Sequence, residues 1–134
     1  MSFVRRVERL ALAVPDLDAA QAFFEGWFGA HFLPEENLED MGIRYRPFRL
    51  GESTLELLQA TRPDSPVARF LEAHGGPGVH HITFEVDDLD ASIRDFERNG
   101  AKMIEGCPRK GAHGRIAFFH PETTAGVLIE LCEL

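Results

Sequence analysis

The chain carries two copies of one pattern, and this limits what it can fold into more than any other feature. Residues 9–18 read RLALAVPDLD and residues 81–90 read HITFEVDDLD, at a constant offset of 72. Val14/Val86, Asp16/Asp88, Leu17/Leu89, Ala19/Ala91, Phe24/Phe96 and Glu25/Glu97 are identities across that offset. Each copy then reaches a glycine-alanine pair, Gly29-Ala30 and Gly100-Ala101, after one residue of slippage. Self-similarity at a fixed period marks a repeated supersecondary unit.

Both copies read the same way. An alternating apolar run (Leu10, Leu12, Val14; Ile82, Phe84, Val86) predicts a strand with one buried face, and Pro15-Asp16 or Asp87-Asp88 turns the chain. A helix follows, capped by aspartate and closed near glycine, roughly Leu17 to Phe28 and Leu89 to Asn99. Three more strands are expected in each copy: 31–34, 43–50 and 54–60 in the first, with Gly51-Glu52 as a tight turn, and 102–105, 115–120 and 127–131 in the second. Between the copies, Ser65-Pro66 starts a short helix that ends at His74-Gly75-Gly76. The expectation is one α+β domain over 1–134, built as paired βαβββ modules (7–62 and 78–133) joined by a linker helix at 65–75, with curved mixed sheets enclosing a cleft.

Composition narrows the function classes. Acidic residues outnumber basic ones 22 to 14, so the overall field does not favour nucleic acid. No apolar stretch approaches the roughly 20 residues of a membrane span. Two cysteines, Cys107 and Cys132, without paired spacing or a secretory leader point to reduced thiols in a cytoplasm. Eleven phenylalanines against one tyrosine and one tryptophan predict a core of plain hydrocarbon.

A duplicated unit that pairs about a pseudo-twofold axis brings equivalent positions together, so the repeat also predicts a site. Arg9 matches His81 at the start of the first strand. Aligning LLQA (57–60) with LIEL (128–131) matches Gln59 with Glu130. His81 shares its phase with Thr83 and Glu85 and so faces away from the helix-covered side. One imidazole, one carboxylate and one amide suit a divalent cation such as Zn, Mn, Co or Ni. His31, His74 and His120 are read as surface or turn residues.

The stretches AVPDLDAA (13–20), GESTLELLQA (51–60), DSPVARFLEAHG (64–75), GVHHITFEVDDLDA (78–91) and GAHGRIAFFHPETTAGVLIEL (111–131) together resemble the vicinal oxygen chelate superfamily. Within it, the third and fifth stretches are similar to the methylmalonyl-CoA epimerase branch. The resemblance implies a divalent metal (Co, Mn, Zn, Ni or Mg), a small-molecule acyl-CoA substrate, and a homodimer. Carried over by position, the metal ligands are Gln59, His81 and Glu130. The fourth position, histidine in the family, is Arg9. Arginine has no lone pair to donate. Three outcomes stay open: a three-ligand site with Arg9 turned aside, Arg9 paired with Glu130 in the metal's place, or a metal-free pocket that only binds.

Epimerase chemistry removes the proton between a thioester and a carboxylate and returns it from the other face. Glu130 is the expected base, with Arg9 as its catalytic neighbour. The family places a second glutamate on the strand that reads GIRYRPFRL (42–50), which holds no carboxylate here. Glu35, Glu36, Glu39 and Asp40 precede it and read as a solvated loop. Arg44 and Arg46, on one face of that strand, are expected to recognise a substrate anion, as are Lys110, Gly111 and His113 in a flexible basic loop. A glyoxalase-type lyase and a metal-free binding protein are the alternatives.

Overall fold

The computed structural model describes residues 4–112 and 114–134. Its elements in chain order are β1 (Val4–Ala13), α1 (Leu17–Phe28), β2 (His31–Phe32), β3 (Glu36–Leu38), β4 (Ile43–Leu50), β5 (Ser53–Ala60), α2 (Pro66–His74), β6 (Gly78–Val86), α3 (Leu89–Arg98), β7 (Arg109–Gly111), β8 (Gly114–Phe119) and β9 (Ile129–Glu133). The chain divides into two compact units, Arg9–His80 and His81–Leu134, the second joined by the residues up to Glu8.

In the unit Arg9–His80, β1 runs parallel to β5, with Leu10 opposite Leu55. Strand β5 is antiparallel to β4, and β4 also carries β2 and β3. Both faces of this sheet are covered. Helix α1 begins where the Asp16 carboxylate accepts the Ala19 N–H at 3.0 Å, and it ends at Gly29 in the left-handed conformation. It buries Leu17 with Phe48, Leu57, Leu12 and Phe24. On the other face, α2 lays Val67, Phe70 and Leu71 on Ala11, Ala13, Ile43, Tyr45 and Leu58. The helix expected as a linker therefore closes the core of the first unit. Its start matches the reading, with Ser65 Oγ accepting the Ala68 N–H and Pro66 in the first turn, where a missing N–H costs nothing.

In the unit His81–Leu134, β6 runs parallel to β9, with Thr83 opposite Glu130. Strand β9 is antiparallel to β8, and β8 to β7. Helix α3 is capped by Asp88 as α1 is by Asp16. It packs Leu89 and Ile93 on Val86, Ala117, Phe119 and Leu131.

The strands depart from expectation in five places, the first being that 31–34 shortens to the two residues His31–Phe32. Residues 102–105 form only a bridge from Met103 to Phe119. The last strand runs Ile129–Glu133 rather than 127–131. Strand β3 is an addition, zipping Glu36–Leu38 of the acidic loop onto β4. The loop expected to hold Lys110 and Gly111 is a hairpin, with both residues on β7 opposite Arg115 and Gly114. Its close packing explains this: a Cβ on Gly111 would lie 2.9 Å from the Ile116 side chain, and one on Gly114, at φ +107°, would collide with the Glu133 carbonyl oxygen. His113 lies outside the described residues.

Candidate active site

The strand registers set which residues are equivalent in the two copies. On β1 and β6 the offset is 72, so Leu10 matches Ile82 and Ala11 matches Thr83. Leu10 faces Leu55 and Ile82 faces Ile129, while Ala11 faces Glu56 and Thr83 faces Glu130. The last strands thus align at an offset of 74, and the counterpart of Glu130 is Glu56. The expected match of Gln59 with Glu130 is corrected: it is three residues out of register, which sends a side chain to the other face of the sheet.

Gln59 lies on the α1-covered face with Leu55 and Leu57. Its Oε1 accepts the Leu17 N–H at 2.8 Å. Its true counterpart, Glu133, does the same for Leu89, also at 2.8 Å. Both side chains therefore satisfy a backbone donor at the start of a helix, where four N–H groups have no intrahelical partner. That removes Gln59 from the expected metal ligands.

The opposite faces carry the chemistry. In the unit His81–Leu134, His81 and Glu130 are both buried, and Nε2 of His81 stands 3.5 Å from Oε1 of Glu130. The Thr83 hydroxyl donates to the same Glu130 oxygen. Phe118 meets the His81 ring edge-on at 5.3 Å between centroids. A carboxylate buried this deeply is tolerable only with such partners.

In the unit Arg9–His80, the equivalent positions form the equivalent pair. Nε of Arg9 lies 3.7 Å from Oε2 of Glu56, and the two side chains are 5% and 9% exposed. On the same face the Tyr45 hydroxyl donates to Glu36. Glu56 escaped the sequence reading. Aligning TLELL (54–58) with LIELC (128–132) without a gap would have found it, because both carry a carboxylate between leucine or isoleucine neighbours.

Arg44 and Arg46 do share one face, where their charge is matched within the protein by Glu35 and Asp18. Arg44 grips Glu35 with two N–H groups at 2.8 and 2.9 Å. Arg46 reaches Glu35 at 2.6 Å and Asp18 at 2.8 Å. Glu35 is accordingly no free loop carboxylate. Hydrogen bonding from Arg44, and then from Arg46, lowers its pKa from 4.5 to about 2. Of the histidines set aside, His74 stacks on Phe70 at 4.0 Å and His120 lies 3.5 Å from Glu105.

A divalent metal does not fit the Arg9–Glu56 pair. Among the described residues, no group of three or more His, Cys, Asp and Glu side chains is gathered to hold one. One of the two buried carboxylates is engaged by a guanidinium, which repels a cation and cannot ligate it.

Residues 8–119 match the model of the glyoxalase/bleomycin resistance protein/dioxygenase superfamily. Human mitochondrial methylmalonyl-CoA epimerase is 36% identical over 127 residues, 94% of this chain and 72% of that protein. The crystal structure of methylmalonyl-CoA epimerase from Mycobacterium tuberculosis superposes with a TM-score of 0.89 at 32% identity, covering 99% of this chain and 90% of the other. A methylmalonyl-CoA epimerase solved in complex with methylmalonyl-CoA and NH4+ superposes with a TM-score of 0.88 at 36% identity, covering 98% and 95%. The chain therefore belongs to the glyoxalase/bleomycin resistance protein/dioxygenase superfamily and has its vicinal oxygen chelate fold. Several of the relatives it matches over nearly its whole length are methylmalonyl-CoA epimerases.

Proposed function

We propose that the protein is an epimerase of 2-carboxyacyl-CoA thioesters, with methylmalonyl-CoA as the substrate to test first. The observation that carries this is the buried Glu130, held by the Thr83 hydroxyl with His81 Nε2 at 3.5 Å, in a chain 36% identical to a methylmalonyl-CoA epimerase. The Glu130 carboxylate takes the proton from C2. The C–H electron pair moves into a C1–C2 double bond, and the thioester oxygen takes the negative charge. A water molecule gives a proton to the opposite face of C2, which forms the other epimer, and the proton held by Glu130 neutralises the hydroxide left behind, restoring the carboxylate. Thr83 and His81 hold the carboxylate in place, so no side-chain ordering is left for the moment of transfer.

The charge of a CoA thioester calls for a basic surface. Lys110 on β7 stands opposite Arg115 on β8, and these two supply it, with Gly111 letting the hairpin close. Arg115 shares part of its charge with Asp90 at 3.1 Å. We assign the active form as a homodimer, on the exposed aromatic cluster of α1, where Trp27 is 80% and Phe28 57% exposed. No helix among the described residues is long and apolar enough to cross a membrane.

The test is incorporation of deuterium at C2 of methylmalonyl-CoA in D2O. The wild-type protein is expected to exchange that proton, and Glu130→Gln to lose about 10²- to 10⁴-fold in rate, the usual share of a positioned base. Exchange at an unchanged rate in Glu130→Gln would remove Glu130 as the base.

A further inference from the structure

We infer that this protein works without a divalent metal: in the unit Arg9–His80 the ligand position is held by the Arg9 guanidinium, an ion-pair partner of buried Glu56, and the epimerase reaction runs without the ion. The inference rests on the functional reading above for its catalytic half only. Whether the protein binds metal is a separate question with a separate readout.

Three observations carry it. First, Arg9–Glu56 and His81–Glu130 are the same pair in the two copies, because the registers match Glu56 with Glu130 and the 72-residue offset matches Arg9 with His81. The separations agree, 3.7 and 3.5 Å. Second, a carboxylate as buried as Glu56 must be neutralised by something close by. In one copy the nearby first-strand residue is an imidazole, able to offer a lone pair to an ion. In the other it is a guanidinium, which is always charged and offers none. Third, within the unit Arg9–His80 the charges of the pair already balance, since Arg9 and Glu56 sum to zero and Glu56 needs no further cation.

The experiment uses the wild-type protein expressed with added cobalt, manganese and zinc, then dialysed. Elemental analysis is expected to find far less than one ion per chain. Added Co2+ should leave the thermal midpoint unmoved, since a ligand that does not bind the native state cannot raise it. C2 exchange should persist undiminished in EDTA. In Arg9→His, cobalt should bind near one per chain and show visible absorption bands. Wild-type protein that retains about one ion per chain after dialysis, or exchange abolished by EDTA and restored by Co2+, overturns the inference while leaving the epimerase reading intact. A metal-free wild-type protein with no exchange under any condition sinks the epimerase reading instead, and the metal-free site stands. A folded Arg9→His that takes up no cobalt also counts against the inference. If that variant does not fold, the wild-type metal content and midpoint decide alone.

Discussion

Arg9 and Glu56 depend on each other, because each is buried and each is the charge the other needs. Replacing only one strands the other. Arg9→Met is expected to cost about 3–5 kcal/mol, read by urea unfolding, while the double replacement Arg9→Met/Glu56→Leu recovers most of that loss. Glu35 makes the contrasting case at the surface. Its pKa is lowered in the folded protein from 4.5 to about 2, first by hydrogen bonding from Arg44. A depressed carboxyl pKa contributes stability that is fully present above 4.5 and is lost as pH falls through about 2. The acid limb of the stability curve should therefore flatten across that window in Glu35→Gln, measured as the urea midpoint against pH. At this scale the sequence was a partial guide. Identity and burial of His81 and Glu130 were legible from strand phase. The pairing of Arg44 and Arg46 with Glu35 was not, since it depends on where an acidic loop folds back.

Single elements were legible where local chemistry decides them. Asp16, Asp88 and Ser65 cap three helices as read, because a side-chain oxygen before a helix has few better partners than its free N–H groups. Register was the harder problem. Aligning LLQA with LIEL satisfied apolar pattern alone: these strands are apolar on both faces, so a slip of three residues leaves no mark on the pattern although it reverses the face. The β7–β8 hairpin was missed for a different reason: glycine and charged residues read as loop unless the neighbouring strand is known. It makes a sharp prediction. Gly114→Ala should loosen the hairpin, since φ +107° is unfavourable to alanine and its Cβ would meet the Glu133 carbonyl. The expected cost is about 1–3 kcal/mol, with earlier proteolysis at 109–115 as the check.

For the whole molecule, the duplication explains how 134 residues can carry buried carboxylates at matching positions in two units. The aromatic cluster on α1 is the feature that two cores do not absorb. Phe23 packs on Trp27 at 5.3 Å and on Phe28 at 5.7 Å, yet all three are exposed. Large exposed apolar groups mark contact surfaces. Light scattering is expected to show a dimer for the wild type and a monomer for Trp27→Glu, and a monomeric wild type would refute the assignment. The two helix-start bonds have one more consequence, in the language of hydrogen exchange. The Leu17 amide proton is held by Gln59, and the Leu89 amide proton by Glu133, each on the last strand of its own unit. Neither proton can trade with solvent until helix and strand part, so these two amides act as separate clocks for the opening of the two halves.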